Sequence, residues 1–198
     1  MKAYKGFNRY EDGTLWCRGF QYEVGKTYKF EGEPIPCVQG FHACREPHQC
    51  WSFYPNNGKN AYFEVECGGK IVESGAGDGK FVCTEITLVR EISSPENKVD
   101  DCGYFHNGYA RVELDGKYNF IDTEGKYLSK QWWGECTRFC NGYAIVGLDG
   151  KYNFIGIYGN LISELWFDGC YSFYNGYAIV GLDGKYYEMD TSGKITEI

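Results

Sequence analysis

The chain has 198 residues, 43% hydrophobic and 18% aromatic, with 18 tyrosines, 27 glycines and only 2 methionines. This is the composition of a β-rich globular protein with many tight turns, and no apolar run is long enough to span a membrane. The net charge of −7 is uneven, with 12 basic and 13 acidic groups in residues 1–98 against 8 and 14 in residues 99–198, a balance that disfavours direct binding to nucleic acid and suits a basic or nucleic-acid-handling protein partner.

The opening "MKAYKGFNRY" has no apolar signal-peptide core, so a cytoplasmic protein is expected. There the 10 cysteines would be reduced thiols or metal ligands rather than disulfides. "KAYKGF" reads as a strand, and "CRGFQYEVGKTYKF" as a strand, a Gly turn and another strand. "PIPCVQGFHAC" is extended behind its prolines. In "REPHQCWSFY", Pro47 suits a first helical turn, which would put Cys50, Trp51 and Tyr54 on one helix face. "NAYFEVEC" alternates as a strand, "GGKIVESGAGDGK" is a turn-rich connection, and "FVCTEITLVREI" is a further strand. The polar "SSPENKVDD" reads as a linker.

The stretch Cys37–Tyr54 packs three cysteines and two histidines into eighteen residues. His42, Cys44, His48 and Cys50 offer zinc-type ligands, although H-x-C-x3-H-x-C is not a common finger spacing. Cys44 beside a histidine could serve as a nucleophile, but no third orienting residue is evident. The plainest reading is structural: Phe41 and Ala43 on one strand face, Cys50 and Trp51 as core, with reduced cysteine acting as a small hydrophobe.

From residue 100 the chain repeats. "NGYARVELDGKY" at 107–118 returns as "NGYAIVGLDGKY" at 141–152 and again at 175–186, a period of 34 residues. Trp132 and Trp166 fall in register, as do Phe105, Phe139 and Phe173, and Cys102, Cys136 and Cys170. Ala110, Val112 and Leu114 alternate with Tyr109, Arg111 and Glu113, which is the period of a strand. Asp-Gly at 115–116 fits a two-residue type I′ hairpin turn. "KYNFID" is then the return strand and "YLSKQWW" a third. Such a meander cannot bury its own apolar face, so the units at 100–133, 134–167 and 168–198 would stack into an array. The third ends in "GKITEI" without the Trp, as a truncated terminal unit would. On the first strand, units two and three place Tyr143, Ile145 and Tyr177, Ile179 where unit one has Tyr109 and Arg111. That face either packs within the array or forms an exposed patch of the kind that marks protein interfaces.

The pattern F-x-N-G-Y-A-x-V-x-L-D-G-K-Y-x-F-I-D-x-x-G resembles the WG β-repeat family of bacterial proteins over about 100–198, with Tyr118-Asn119, Tyr152-Asn153 and Tyr186-Tyr187 at the usual Trp-Gly position. The resemblance implies a binding or scaffolding module and brings no catalytic residue. In residues 1–92, "YKGF", "VGKTY", "GFHAC", "AYFEV" and "TEITLVREI" resemble the strand order of ADP-ribosyltransferase domains. That resemblance implies an α+β head of two small sheets with a short helix and NAD in the cleft between them. It puts Lys5, His42 and Cys44 at cofactor-binding positions and Glu85 at the catalytic carboxylate, with Cys83 replacing the first Glu of the motif. "CRGFQYEVGK" and "GFHAC" also resemble an uncharacterised domain of phage and bacterial proteins, which implies a mobile-element origin.

The expectation is therefore an α+β head at 1–92, a linker at 93–99 and an all-β array of three antiparallel meanders. Its function would be protein binding, as a mobile-element inhibitor of a host factor such as a CRISPR-type defence nuclease complex. Tyr143, Ile145, Tyr177 and Ile179 are the partner-binding candidates, and no cofactor or metal is required. The alternative is an ADP-ribosyltransferase, active or degenerate, that uses NAD and recruits its target through the repeats.

Overall fold

The structure is a computed structural model that describes residues 1–75, 77–95 and 97–198; Ala76, in the expected turn-rich connection, and Glu96, in the expected linker, lie outside the described residues. The chain divides into two compact units, Met1–Phe105 and His106–Ile198. It is nearly all β, and no helix of the described residues is long and apolar enough to cross a membrane.

The first unit holds β1 (Lys2–Arg9), β2 (Leu15–Cys17), β3 (Phe20–Tyr22), β4 (Thr27–Lys29), β5 (Phe41–Cys44), β6 (Asn60–Glu73), β7 (Lys80–Ile92) and β8 (Asp101–Cys102). The expected α+β head is corrected here. Its helix is six residues of 3-10 geometry, Pro47–Ser52, and β1 to β7 join in one antiparallel sheet rather than two. β1 pairs with β6, β6 with β7, β7 with β5 and β5 back with β1, so four strands close a ring. Ala3, Phe7, Phe63, Val65, Phe81, Ile86 and Leu88 fill it.

Two differences from the sequence reading have local causes. β6 continues through the expected turn because Gly68-Gly69 forms a bulge in the ladder. Gly69 has φ +68, a Cβ there would lie 2.1 Å from Thr84 Oγ1, and Lys70 N donates to that same oxygen at 2.9 Å. The linker region is also tied down: Asn56 Nδ2 donates to Pro95 O and Asn97 O, and Val99 N donates to Asn56 O. Val99 and Cys102 are buried, and Phe105 meets the His48 ring at 4.7 Å.

The second unit contains three hairpins: β9 (Tyr109–Leu114) with β10 (Lys117–Asp122), β12 (Tyr143–Leu148) with β13 (Lys151–Gly156), and β15 (Tyr177–Leu182) with β16 (Lys185–Asp190). Short strands β11 (Glu135–Cys136) and β14 (Gly169–Cys170) flank the second and third hairpins, and β17 (Ile195–Glu197) closes the last sheet. The Asp-Gly turns have φ near +51 and +72 to +76, as a type I′ turn requires. The expected third strand, "YLSKQWW", touches the ladder only through bridges at Tyr127 and Trp133. Between them it leaves the sheet, and the buried Asn119 Nδ2 donates to Ser129 O at 2.8 Å. Asn153 repeats this with Ser163 O and Leu165 O.

Successive hairpins pack face to back. Phe120 lies with Ala144, Val146 and Ile155 of the next hairpin, and Phe154 with Ala178, Val180 and Met189 of the one after. These two cores are the burial that no single unit provides.

Candidate functional site

The ring of strands in the first unit carries a cavity of about 240 Å³ beside β1, β5 and the 3-10 helix. Its position follows from β1, where Ala3, Lys5 and Phe7 share the core-facing side by strand alternation. Lys5 is therefore a lysine at a core position, only 4% exposed. Its Nζ donates to His42 O at 2.6 Å and sits 5.5 and 5.6 Å from the Phe7 and Tyr22 ring centres. The next residue must be glycine, because a Cβ on Gly6 would lie 2.5 Å from the Tyr54 ring. The Tyr54 ring fills that space and its hydroxyl donates to Cys17 Sγ at 3.0 Å; burial pushes its pKa up.

Two further cations reach the cavity. Arg18 stands at the tip of the β2–β3 turn and donates from its guanidinium to Cys37 O at 2.8 Å. Lys80 begins β7, 3.5 Å from Asp78 and 4.6 Å from the Phe53 ring centre. Burial opposes its charge, but the Cys37 thiol and the Asp78 carboxylate outweigh that and hold its pKa above the usual value. His42 accepts a hydrogen bond at Nε2 from Cys37 N at 2.8 Å. Burial first, and then the charges of Lys5, Arg18 and Lys80, lower its pKa to about 4, so the imidazole is neutral at physiological pH.

The structure thus brings Lys5, His42 and Cys44 to one cavity and leaves Glu85 out of it. Glu85 lies lower on β7, opposite Lys29 in the register and 3.6 Å from its ammonium. Of the zinc-type residues, Cys44 and Cys50 are buried and hydrogen-bonded to each other, which raises the Cys50 pKa together with burial. His48 turns instead to Phe105 and Trp51. Among the described residues no group of three or more His, Cys, Asp and Glu is placed to hold a metal ion. All ten cysteines are unbridged.

The four partner-binding candidates separate. Tyr143 and Ile145 are half-buried and pack against the core of the third hairpin, with the Tyr143 ring 4.3 Å from Phe173. Tyr109 is covered in the same way by Phe139 at 5.3 Å. Tyr177 and Ile179 lie on the corresponding face of the third hairpin, where Tyr171, Tyr174, Tyr177 and Tyr186 are 67, 75, 51 and 59% exposed. Residues opposite in register share a face, so Glu188 joins Ile179, and Asp190 joins Tyr177, on that side. A groove of about 420 Å³ lined by Tyr171, Gly181 and Tyr186 runs beside it. Tyr171, Tyr174 and Tyr186 belong to this face as well and are not among the sequence candidates, which lie on the first strand of each unit. Their signal is the substitution at 188: Phe120 and Phe154 are buried, and Glu188 stands 34 residues on.

The chain belongs to the family of a domain of unknown function, DUF7666, whose model matches residues 1–100. The WG containing repeat matches residues 98–118 and 157–186. No curated protein matches the chain. Among solved structures it is similar to Kluyveromyces lactis Hsv2 with complete loop 6CD, at 14% identity and a TM-score of 0.35 over 57% of this chain and 40% of that one. It is also similar to KlHsv2 with loop 6CD replaced by a Gly-Ser linker, at 12% identity and a TM-score of 0.34 over 56% of this chain and 40% of that one. The chain thus spans about 40% of the length of these structures.

Proposed function

We propose that the protein is a protein-binding module that engages its partner through the tyrosine face of the third hairpin. The observation that carries this reading is the exposed tyrosine face itself: Tyr171, Tyr174, Tyr177 and Tyr186, with the half-buried Ile179, Glu188 and Asp190 between them. Rigid aromatic side chains with polar tips are favoured at interfaces, and the two carboxylates match a basic partner. The acidic balance of residues 99–198 supports the same choice. An acidic binding module of mobile-element origin fits an inhibitor of a nucleic-acid-handling host factor, including a defence nuclease complex.

Affinity capture from host lysate with the native chain, Tyr177→Ser/Tyr186→Ser and Glu85→Gln tests it. A protein held by the native chain and Glu85→Gln, and lost from the tyrosine double variant, is the expected result. An identical set of captured proteins for all three chains overturns the reading. The transferase alternative has in its favour that Lys5, His42 and Cys44 share a cavity. Transfer of label from NAD to a lysate protein, abolished by Glu85→Gln, would establish it instead.

A further inference from the structure

The cavity of the first unit has a neighbour. A second chamber of about 200 Å³ shares Lys5, Cys17, Arg18 and His42 with it and is lined beyond them by Phe20, Phe30 and Phe41. One chamber is cationic and the other aromatic, and Lys5 and Arg18 border both. We propose that the two chambers form a binding site for a small phosphate monoester, its phosphoryl group at Lys5, Arg18 and Lys80 and a flat apolar body against Phe20 and Phe41.

Charge is the first support. A buried ammonium is rare without a counter-charge, yet among the described residues no carboxylate forms an ion pair with Lys5 or Arg18. Neither chamber is lined by a carboxylate. Asp78 offsets Lys80, Lys5 is buried without a carboxylate and Arg18 stands exposed at the rim, so no protein carboxylate competes at Lys5 and Arg18 for an incoming phosphate dianion. Burial first, and then the same three cations, lower the pKa of His42 beside them.

Backbone strain is the second. Eight non-glycine residues among those described have positive φ; six are Asn or Asp, the residues that tolerate it, and the other two are Arg18 at +52 and Cys37 at +63. Both line the cationic chamber. Arg18-Gly19 fills a two-residue turn in which Asn-Gly is the favoured pair, and the six other described turns with positive φ at both residues of such a pair are all Asn-Gly or Asp-Gly. An arginine there costs the turn stability, and its guanidinium reaches over the cavity to Cys37 O. Size is the third: chambers of 240 and 200 Å³ suit one phosphorylated ring and fall below the range of about 300–1,000 Å³ typical of pockets for larger ligands.

Isothermal calorimetry of the full chain with phenyl phosphate, inorganic phosphate, benzoate and NAD tests the site. Phenyl phosphate is expected to bind about tenfold or more tightly than inorganic phosphate or benzoate, and NAD is expected not to displace it. Arg18→Asn should weaken phenyl phosphate about tenfold while leaving the melting temperature equal to or above that of the native chain. Lys80→Gln leaves the turn untouched and should also weaken binding. Tyr177→Ser/Tyr186→Ser should leave it unchanged, so this site and the protein-binding face stand or fall separately. Failure of phenyl phosphate to saturate, equal binding by Arg18→Asn and the native chain, or loss of folding in Arg18→Asn would overturn the proposal.

Discussion

At the scale of single residues, the first unit is organised around groups whose ionisation the fold has set. His42 has a folded pKa of about 4 against an ordinary value of 6.5. The folded state therefore binds fewer protons than the unfolded state between these values, and stability rises with pH across that window. The contribution of His42 is fully present above about pH 6.5 and is lost as pH falls toward 4; it is on the order of 1–3 kcal/mol for a partly buried imidazole. Burial lowers the pKa of His48 as well, so it acts in the same direction. Asp78 and Glu64, whose pKa values are lowered, lose their contributions at more acid pH still. Chemical denaturation at pH 7, 5.5 and 4.5 should show a decline that is shallower in His42→Gln, because glutamine can keep the acceptor for Cys37 N without titrating. An unchanged pH slope in that variant would mean the imidazole is not the group responsible.

At the scale of elements, the polar and glycine positions decide where strands run and where they stop. Asn153 is fully buried; its Nδ2 donates to Ser163 O and Leu165 O and its Oδ1 accepts from Phe154 N at 2.7 Å. Asn153→Ala leaves the buried Phe154 N without this acceptor and unties the loop at Ser163 and Leu165, and should cost about 1–3 kcal/mol, read as a lower denaturation midpoint at unchanged m-value. Gly69→Ala should cost about 1–3 kcal/mol from its positive φ alone, before the clash with Thr84 Oγ1 is relieved. If either variant melts with the native chain, the corresponding loop or bulge is softer than its geometry indicates. These positions also mark how far the sequence could be read. The Asp-Gly turns and the alternation from Tyr109 to Leu114 are local signals, and the hairpins follow from them. The bulge at Gly68-Gly69 and the departure of "YLSKQWW" from the ladder depend on partners 10 to 15 residues away, Thr84 and Asn119. Resemblance puts Lys5 at a cofactor-binding position, and its place between Ala3 and Phe7 on a strand is a local signal for the inside, but its companions Arg18 and Lys80 come from turns and strands that only the closed ring brings together.

At the scale of the whole molecule, the three hairpins read as two interior layers and a cap. Phe120 and Phe154 each fill the junction with the following hairpin, and Glu188 takes that position in the third. A carboxylate on the last apolar face keeps a stacked array from growing, as terminal repeats with a polar outer face do. The opposite effects of two exchanges test this. Phe154→Glu would bury a charge without a partner between the second and third hairpins and should cost several kcal/mol, with loss of cooperative unfolding of His106–Ile198. Glu188→Phe should fold with little change in stability, yet it joins Tyr177, Ile179 and Tyr186 in a larger apolar surface and removes the charge that limits stacking. Sedimentation velocity over a range of concentrations should therefore show stronger self-association for Glu188→Phe than for the native chain, and Glu188→Gln should fall between the two. Equal sedimentation for all three would mean that the face is limited by its shape, with Gly181 and the β14–β15 groove as the determinants, and not by the carboxylate.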